Sequence, residues 1–404
     1  MPPSPPSSAA PSLYDCFAVA APGLEPLVAA ELRDLGESPT VVEGGVEWQG
    51  DAESLCRANL WLRTASRVVV RAANFRARTF YELERHARRI AWERYLTPGS
   101  AVRFHVTCRK SRLYHSDAVA QRIAESIEHR LGASSVFAAH EPGPDDDDGD
   151  AAREQLILVR MAHDVCTVSV DSSGALLHRR GYRQAVARAP LRETLAAALL
   201  GVAGWRGEVP LVDPFCGSGT IPIEAALVAR RIPPGLHRQF ACLDWPGFPR
   251  AAFAGLLERA RGGILAGSPV RIAGSDRDAG AIEAARANAE RAGVAGDVEF
   301  VVCAVSDMPV PAGDSGLVAC NPPYGVRVGD RHEVRNLYAQ FGNILRRRAA
   351  GWRVAMYSPD AKLSAQLRLA LEPALRTRNG GIPVQAEVGT VPSAQASAPA
   401  RIYF

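Results

Sequence analysis

The spacing of apolar residues predicts two kinds of architecture, which meet near residue 178. Before that point, stretches with apolar residues at every second position alternate with stretches at helical spacing, a mixture that predicts small α+β units. The predicted strands are 13–20, 67–73, 101–108, 155–161 and 165–170, the predicted helices are 26–35, 54–62, 81–95 and 117–131, and a short hairpin surrounds Gly44 and Gly45.

After residue 178, strands and helices alternate regularly. The predicted strands are 210–214, 271–275, 298–304, 316–320 and 352–357, and the predicted helices are 220–231, 278–292, 335–348 and 363–371. This order is typical of a doubly wound α/β fold with a parallel, Rossmann-like sheet. Because ligands bind such sheets at the carboxyl ends of the strands, the turns that follow the strands are the first place to look for chemistry.

Length and composition exclude several classes of protein. A chain of 404 residues, 47% apolar and 22% charged, has room for two or three globular domains. Its longest nearly uninterrupted apolar stretch, 195–205, is shorter than the roughly 20 residues of a membrane span. Residues 1–12, rich in Pro, Ser and Ala, lack the features of a secretory signal and predict a disordered tail. We therefore expect a soluble protein that does not engage a membrane.

The eight cysteines contain no Cys-x-x-Cys pair, so the sequence signals neither a zinc site nor a disulfide framework. This predicts no bound metal and a reducing, cytoplasmic setting.

Charge is distributed unevenly. The net charge is only +4, but residues 76–130 hold twelve Lys or Arg against six acids, whereas 141–154 hold seven acids against Arg153 alone. Arginine and aromatic side chains together suit RNA phosphates and bases, although a solvated helix face accounts for roughly half of such residues. The candidates for RNA contact in this stretch are Arg76, Arg78, Arg88, Arg89, Arg109, Lys110 and Arg112, with Tyr81, Tyr95 and Tyr114 among them.

A glycine-containing turn, DPFCGSGT at 213–220, follows a predicted strand and opens an apolar helix. Gly217 and Gly219 allow a tight turn and a close approach of the backbone to a ligand. The pattern is weak by itself, since a turn without a ligand looks the same. Pro222 also stands where a pyrophosphate-binding loop has its third glycine, which disfavours a dinucleotide.

Acidic residues end the next two predicted strands. Asp276 is placed to bind both hydroxyls of a ribose, whereas Asp278 is better explained as the cap of the following helix. Asp307 lies where a carboxylate can reach an adenine amino group, and a solvated loop acid is nearly as good an explanation.

The turn NPPY at 321–324 ends the fourth predicted strand, and its two prolines make it stiff. A planar amine on an aromatic ring is a poor nucleophile because its lone pair is delocalised. The side-chain oxygen of Asn321 and the carbonyl of Pro322 are two acceptors that can bind its N–H groups and favour a pyramidal nitrogen, while Tyr324 stacks on the base. The turn therefore predicts chemistry on a planar amine.

With these motifs in order, the C-terminal half resembles the class I S-adenosylmethionine-dependent methyltransferases that act on planar amines. The segments LHRRGYR at 177–183, APLRET at 189–194 and NPPYGVR at 321–327 are similar to those of the THUMP-containing RNA guanine-N2 methyltransferases. Within that family, the chain looks closest to the bacterial 23S ribosomal RNA enzymes that methylate guanine N2 through their N-terminal half.

This resemblance implies a domain order and a set of roles. After the tail at 1–12, it implies a ferredoxin-like subdomain at 13–72, a THUMP domain at 73–172 and a Rossmann-like methyltransferase domain at 178–404. S-adenosylmethionine is the implied cofactor and RNA the implied partner. The cofactor residues it implies are Asp213, Phe215, Gly217, Gly219 and Thr220 near the methionine part, Asp276 for the ribose, Asp307 for the adenine, and Asn321. The residues it implies at the target base are Asn321, Pro322, Pro323 and Tyr324. Three further arginines join the RNA contacts: Arg179, Arg180 and Arg183.

Gly219 and Asp276 are 57 residues apart, farther than in the simpler members of the methyltransferase class, which implies an insertion; the segment 240–248 inside it resembles a segment of the family. The acidic run 145–150 matches no pattern of the family.

Several alternatives stay open at this stage. Ribosomal RNA is favoured over transfer RNA as the substrate, and adenine N6 of DNA or RNA is the nearest alternative target because the NPPY turn accepts any planar amine. The side-chain amide of a protein glutamine is a third possible target, which the Arg-rich region disfavours. The alternative from a different class of protein is a non-catalytic RNA-binding assembly factor. The sequence makes no prediction of the oligomeric state.

Overall fold

The protein is described by a computed structural model that covers residues 13–132, 137–139, 154–184, 191–311, 313, 315–325 and 331–393. The predicted tail 1–12, the acidic run 145–150, the segment 185–190 and Arg327 lie outside these residues.

The first half of the described chain builds one eight-stranded sheet with the order β2-β3-β1-β4-β8-β7-β5-β6. Its strands are β1 (Tyr14–Ala20), β2 (Thr40–Val42), β3 (Gly45–Gly50), β4 (Ala65–Arg76), β5 (Val102–Arg109), β6 (Phe137–Ala139), β7 (Gln155–Ala162) and β8 (Val165–Asp171), and its helices are α1 (Glu25–Asp34), α2 (Ala52–Trp61), α3 (Phe80–Ala87) and α4 (Ser116–Leu131). The predicted strands and the Gly44–Gly45 hairpin are confirmed. The predicted helix 81–95 is too long, because α3 ends at Ala87 and only a short 3-10 turn (Trp92–Arg94) follows.

Strand β4 joins the two predicted N-terminal modules. It is twelve residues long and pairs antiparallel with β1 on one side and with β8 on the other. The predicted boundary between residues 72 and 73 therefore falls inside a strand, and the two modules share one sheet. Such a continuous sheet holds its two ends in a defined relative orientation, because every strand is hydrogen-bonded to its neighbours.

The second half builds a seven-stranded sheet with the order β11-β10-β9-β12-β13-β15-β14. Its strands are β9 (Leu211–Asp213), β10 (Ile272–Asp276), β11 (Val298–Val302), β12 (Leu317–Cys320), β13 (Arg353–Ser358), β14 (Leu371–Asn379) and β15 (Ile382–Thr390), and its helices are α5 (Glu193–Val202), α6 (Thr220–Ala229), α7 (Arg250–Gly262), α8 (Ala279–Arg291), α9 (Arg331–Arg348) and α10 (Ala361–Ser364). Strands β9 to β13 pair in parallel, which confirms the doubly wound α/β prediction. Since β10 and β12 flank β9 on opposite sides, a crevice opens at the carboxyl end of β9.

The C-terminal hairpin is where the sequence prediction is wrong. We predicted a helix over 363–371, but α10 ends at Ser364, Arg368 adopts a left-handed conformation, and β14 begins at Leu371. The buried leucines 363 and 367 have helical spacing, which explains the error. Strand β14 was not predicted because it is an edge strand with exposed charged residues and an interior proline, and β15 pairs it back onto β13.

The insertion between β9 and β10 connects the two sheets. Trp245 donates from its indole N–H to Oε1 of Gln155 at 2.8 Å and meets the ring of Tyr95 edge-on at 5.0 Å. The backbone N–H of Cys242 donates to the carbonyl of Ser172 at 3.1 Å. Tyr95 is only 5% exposed, so the structure does not support the prediction that it stacks on RNA bases. The segment 240–248 thus packs the second half of the chain against the N-terminal sheet.

Within the part of the chain that the structure describes, no helix combines the length and the apolar character needed to cross a membrane.

Candidate active site

The loop between β9 and α6 turns on its two glycines. Gly217 and Gly219 have φ of +51° and +87°, a conformation that L side chains rarely adopt. A Cβ built on Gly219 would lie 3.0 Å from both Cβ of Ala285 and the ring of Phe300, whereas one built on Gly217 meets nothing within 4 Å. Gly219 is therefore required for packing, and Gly217 keeps the space outside the loop open.

Hydrogen bonds from three directions hold this loop. Asp213, 1% exposed, accepts the backbone N–H of Phe215 at 3.0 Å, and burial raises the pKa of its carboxyl well above the usual range. The N–H of Cys216 donates to the carbonyl of Ser275 at 3.0 Å. Asn288 of α8 donates to the carbonyl of Ser218 at 3.0 Å. Asn288 was not predicted as a site residue, although a polar residue on the apolar face of α8 was a usable signal.

Asp276 lies against the same loop although it is distant in sequence. Its Oδ2 accepts the N–H of Gly217 and its Oδ1 accepts the N–H of Asp278, both at 3.0 Å. A carboxylate has about four acceptor positions, so about two remain for the hydroxyls of a ligand. Asp278 caps α8 by accepting the N–H groups of Gly280 and Ala281, which confirms the predicted cap.

The other residues predicted at the cofactor lie around this crevice. Thr220, 5% exposed, begins α6, and Phe215 meets the ring of Phe341 edge-on at 5.1 Å. Asp307 ends a 3-10 turn after β11, is exposed, and accepts the hydroxyl of Ser306 at 3.0 Å. The roles predicted for these side chains stay predictions.

The Asn-Pro-Pro-Tyr turn leaves β12 beside this loop and is held by contacts from distant elements. The hydroxyl of Tyr324 donates to Oδ1 of Asn321 and accepts a hydrogen bond from Nδ2 of Asn379 at 3.3 Å. Tyr338 of α9 donates to the carbonyl of Pro323 at 3.4 Å. Nothing in the sequence pattern singled out Asn379 or Tyr338.

Two acceptors in this turn are available to a ligand. An amide oxygen has two lone pairs, and Tyr324 takes one of those on Asn321. Among the described residues, none donates to the carbonyl of Pro322. Burial raises the pKa of Tyr324 to about 12, so its hydroxyl stays protonated and acts as a donor near neutral pH. The turn can thus accept the two N–H groups of one planar amine.

A cleft of about 440 Å³ adjoins the turn and is lined by Tyr324 and Gly325. Arg335, Asp360 and Lys362 also line it. Asp360 is occupied as the cap of α10, where it accepts the N–H of Leu363 at 2.8 Å, whereas the side chains of Arg335 and Lys362 are exposed. The cleft therefore joins an aromatic wall at the turn to two cationic side chains.

The predicted RNA contacts in the N-terminal half come together at one end of the sheet. Arg76 ends β4 and Arg109 ends β5, and Arg78, Lys110 and Arg112 follow them, all exposed. Asp164 connects the two segments. Its Oδ1 accepts the N–H of Arg112 at 2.8 Å and its Oδ2 accepts Nε of Arg78 at 3.2 Å, contacts that lower the pKa of its carboxyl.

Two other residues predicted to contact RNA are structural instead. Arg180, 6% exposed, donates to the carbonyl of Arg63 at 2.6 Å and lies 3.5 Å from Glu224. Arg183 pairs with Glu193 at 2.8 Å, with 15% of its side chain exposed. A buried guanidinium cannot reach an RNA phosphate, so the prediction is wrong for Arg180, and Arg183 is already engaged. Arg179 is half-buried.

The crevice fits S-adenosylmethionine. The open space at Gly217 and the carboxylate of Asp276 beside it suit the methionine and ribose parts, and the turn at Asn321 adjoins the same crevice. The cofactor supplies an electrophilic methyl carbon. The loop at Gly217 and the carboxylate of Asp276 would hold it.

Replacing Gly219 by alanine should weaken S-adenosylmethionine binding by at least about tenfold, because the new Cβ forces the loop away from Ala285 and Phe300. Calorimetry with S-adenosylmethionine measures the effect. Gly36→Ala is the matched control, since Gly36 has nearly the same φ, +86°, with nothing within 4 Å of an added Cβ. Unchanged affinity in Gly219→Ala would contradict the importance of this packing.

The doubly wound sheet, the glycine loop with Asp276, and the Asn-Pro-Pro-Tyr turn together define a class I S-adenosylmethionine-dependent methyltransferase. Residues 180–385 match the model of the RMKL-like methyltransferase domain, 15–69 that of the RlmL ferredoxin-like domain, and 77–171 that of the THUMP domain. The chain belongs to the RMKL-like methyltransferase family.

Two curated relatives match most of this chain. The chain is 34% identical over 373 residues to slr0064 of Synechocystis, a protein named as an RNA methyltransferase, with 91% of this chain and 94% of that protein covered. It is 37% identical over 380 residues to the ribosomal RNA large subunit methyltransferase K/L of Syntrophotalea carbinolica, covering 91% of this chain and 52% of that protein. The chain thus spans about half the length of the second relative.

Solved structures agree over nearly the whole chain. A predicted N6-adenine-specific DNA methylase from Listeria monocytogenes superposes with a TM-score of 0.82 and 32% identity, covering 94% of this chain and 97% of that one. The methyltransferase SMU.472, crystallised with S-adenosylhomocysteine, has a TM-score of 0.82 and 30% identity, covering 94% and 98%.

Proposed function

We propose that this protein transfers the methyl group of S-adenosylmethionine to the exocyclic N2 amine of a guanine in structured RNA, with 23S ribosomal RNA favoured. The observation that carries the proposal is the Asn-Pro-Pro-Tyr turn, which presents two acceptors beside the cofactor loop. The exposed basic end of the N-terminal sheet supports RNA as the partner. The name of the Syntrophotalea relative supports the ribosomal substrate.

The protein's part in the reaction follows from this geometry. Asn321 Oδ1 and the Pro322 carbonyl accept the two N–H groups of the amine, which favours the pyramidal nitrogen that forms the bond to the methyl carbon. The bound cofactor would supply the methyl carbon, with its sulfonium sulfur as the leaving group. The surplus proton leaves the amine to water. The acceptors stabilise the transition state more than the planar ground state, so their contribution should affect kcat.

The cleft at Tyr324 has the size for a single nucleotide. A guanine inside a helix cannot reach the turn, so the target base must come from a loop or be flipped out, at a cost of a few kcal/mol. In this arrangement the ring of Tyr324 stacks on the base, while Arg335 and Lys362 contact the RNA backbone.

Mass spectrometry of nucleosides tests the proposal directly. Total RNA from a strain that lacks the gene is separated into ribosomal and transfer fractions and compared with the wild type. We expect ribosomal N2-methylguanosine to fall by one site. Loss from the transfer RNA fraction favours the tRNA alternative, and loss of N6-methyladenosine with unchanged N2-methylguanosine overturns the base assignment. No change in any fraction favours a non-catalytic assembly factor, although a dead site has no physical need for Gly217, Gly219, Asp276 and Asn321 together.

RNA binding should depend steeply on salt, because the basic end of the N-terminal sheet contacts phosphates. In Arg76→Gln/Arg109→Gln, the slope of log affinity against log salt should decrease by about 1 for each phosphate that the variant no longer binds. Binding to unmodified ribosomal RNA from the deletion strain, measured at several salt concentrations, checks this.

Arg261→Gln, an exposed arginine on α7, is the control. An equal decrease in the control, or a flat salt response in the wild type, would remove the basic end from the interface.

We also propose that the protein acts in the cytoplasm. All eight cysteines are free in the structure, which suits a reducing compartment.

A further inference from the structure

The C-terminal hairpin provides a residue that reaches the predicted acceptor of the target amine. Asn379 is the last residue of β14 and precedes the Gly380–Gly381 turn. Its side chain is almost fully buried, and its Nδ2 donates to the hydroxyl of Tyr324 at 3.3 Å. That hydroxyl in turn donates to Oδ1 of Asn321. Three side chains thus form one hydrogen-bonded chain that ends on the acceptor oxygen.

The direction of the hydrogen bonds follows from counting protons. A phenol has one proton, and an amide nitrogen can only donate. Because Asn379 donates to the Tyr324 oxygen, the tyrosine proton must point to its other partner, Asn321. This contact requires the oxygen of the Asn321 amide to face the tyrosine. The amide nitrogen is itself a donor and cannot accept the hydroxyl proton.

We propose that Asn379 is a positioning residue for methyl transfer, acting through Tyr324 to keep the amide oxygen of Asn321 turned toward the target amine. This inference rests on the proposed role of Asn321 as an amine acceptor. The second lone pair of Oδ1 then receives the amine, while the ring of Tyr324 remains the wall of the cleft. A residue of the antiparallel hairpin thereby controls the orientation of a group on the parallel part of the sheet.

The isosteric variant Asn379→Asp separates orientation from packing. An ionised aspartate has nearly the same shape but only accepts, so it attracts the Tyr324 proton away from Asn321. We expect kcat for methyl transfer to hypomethylated RNA from the deletion strain to fall about tenfold. The KM for RNA should stay within about threefold, since the cleft itself is unchanged. The Kd of S-adenosylmethionine should match the wild type, and because the new carboxylate is buried and should lower the Tm, the kinetics are compared at a temperature at which both proteins are folded. Asn343→Asp, an equal change of charge on α9, is the control and should leave kcat unchanged.

A double-mutant cycle gives the decisive reading. Tyr324→Phe removes the hydroxyl but keeps the ring, and it should itself lower kcat. In that background, Asn379→Asp should cause no further loss, because the connection to Asn321 is already broken. Full kcat in Asn379→Asp, or an equal additional loss in the Tyr324→Phe background, overturns the proposal. If the methyl group is found on adenine N6, only the base assignment is overturned, and the same comparison still decides the role of Asn379. A wild-type protein that methylates no RNA overturns both the proposed function and the role of Asn379.

Discussion

Replacing Asn321 by alanine should lower kcat by about 100-fold to 1,000-fold while the Kd of S-adenosylmethionine stays within about twofold. The reason is that Oδ1 of Asn321 binds the amine most strongly when its nitrogen becomes pyramidal, so the loss falls on the transition state. The cofactor loop is held separately, by Asp213, Asp276 and Asn288. Calorimetry with S-adenosylmethionine and the transfer of labelled methyl groups to RNA from the deletion strain measure the two quantities.

Asn343→Ala is the matched control for this experiment, since Asn343 is an exposed asparagine on α9 that accepts a hydrogen bond from Arg346 at 2.7 Å, away from the acceptor turn. It should retain wild-type turnover and affinity. Full turnover in Asn321→Ala would refute the role assigned to the acceptor. A parallel loss of cofactor affinity would place Asn321 at the cofactor rather than at the amine.

Removing the side chain of Arg180 should destabilise the protein by about 3–5 kcal/mol, because it leaves the carboxylate of Glu224 buried without its cationic partner. The side chains of Arg180 and Glu224 are 2% and 0% exposed. Arg180 also donates to the carbonyls of Arg63 and Leu177, so these acceptors lose their partner as well. Tyr182 still donates to Glu224 at 3.1 Å, and the buried guanidinium of Arg63 still attracts the carboxylate, but neither replaces the contact with Arg180.

Thermal and urea unfolding of Arg180→Ala measure the effect. The control is Arg206→Ala, which removes an exposed pair with Asp34 whose side chains are 72% and 60% exposed. Exposed pairs contribute about 0–1 kcal/mol, so this variant should unfold close to the wild type. Wild-type stability of Arg180→Ala, combined with weaker RNA binding, would instead assign Arg180 to the RNA surface.

The contrast between Arg180 and Arg76 shows how far sequence reasoning reaches. Both belong to arginine-rich segments, and both were predicted to contact RNA. Arg76 is an exposed residue at the end of β4, whereas the backbone of the ferredoxin-like part supplies a carbonyl to the buried Arg180. No local pattern distinguishes the two residues, because Glu224 and Arg63, which hold Arg180 in the interior, are 44 and 117 positions away in sequence.

The candidate site divides in the same way. Gly217, Gly219, Asp276 and the Asn-Pro-Pro-Tyr turn follow successive strands, so their order along the chain was enough to predict one crevice. Asn288 and Asn379 reach that crevice from a helix and from an unpredicted hairpin. Their contacts depend on how distant elements pack, and Asn379 had no pattern around it to indicate a function.

By itself, the sequence determined the doubly wound fold, the positions of the strand-end motifs and the concentration of positive charge in the N-terminal half. Those properties are local, since apolar spacing sets the helices and strands, and parallel strands align their carboxyl ends at one edge. Only the tertiary structure decided which arginines are buried, that β4 unites the two N-terminal modules, and that Asn379 reaches the acceptor turn. These properties arise from contacts between residues far apart in the chain, and burial and hydrogen bonding there depend on the whole fold.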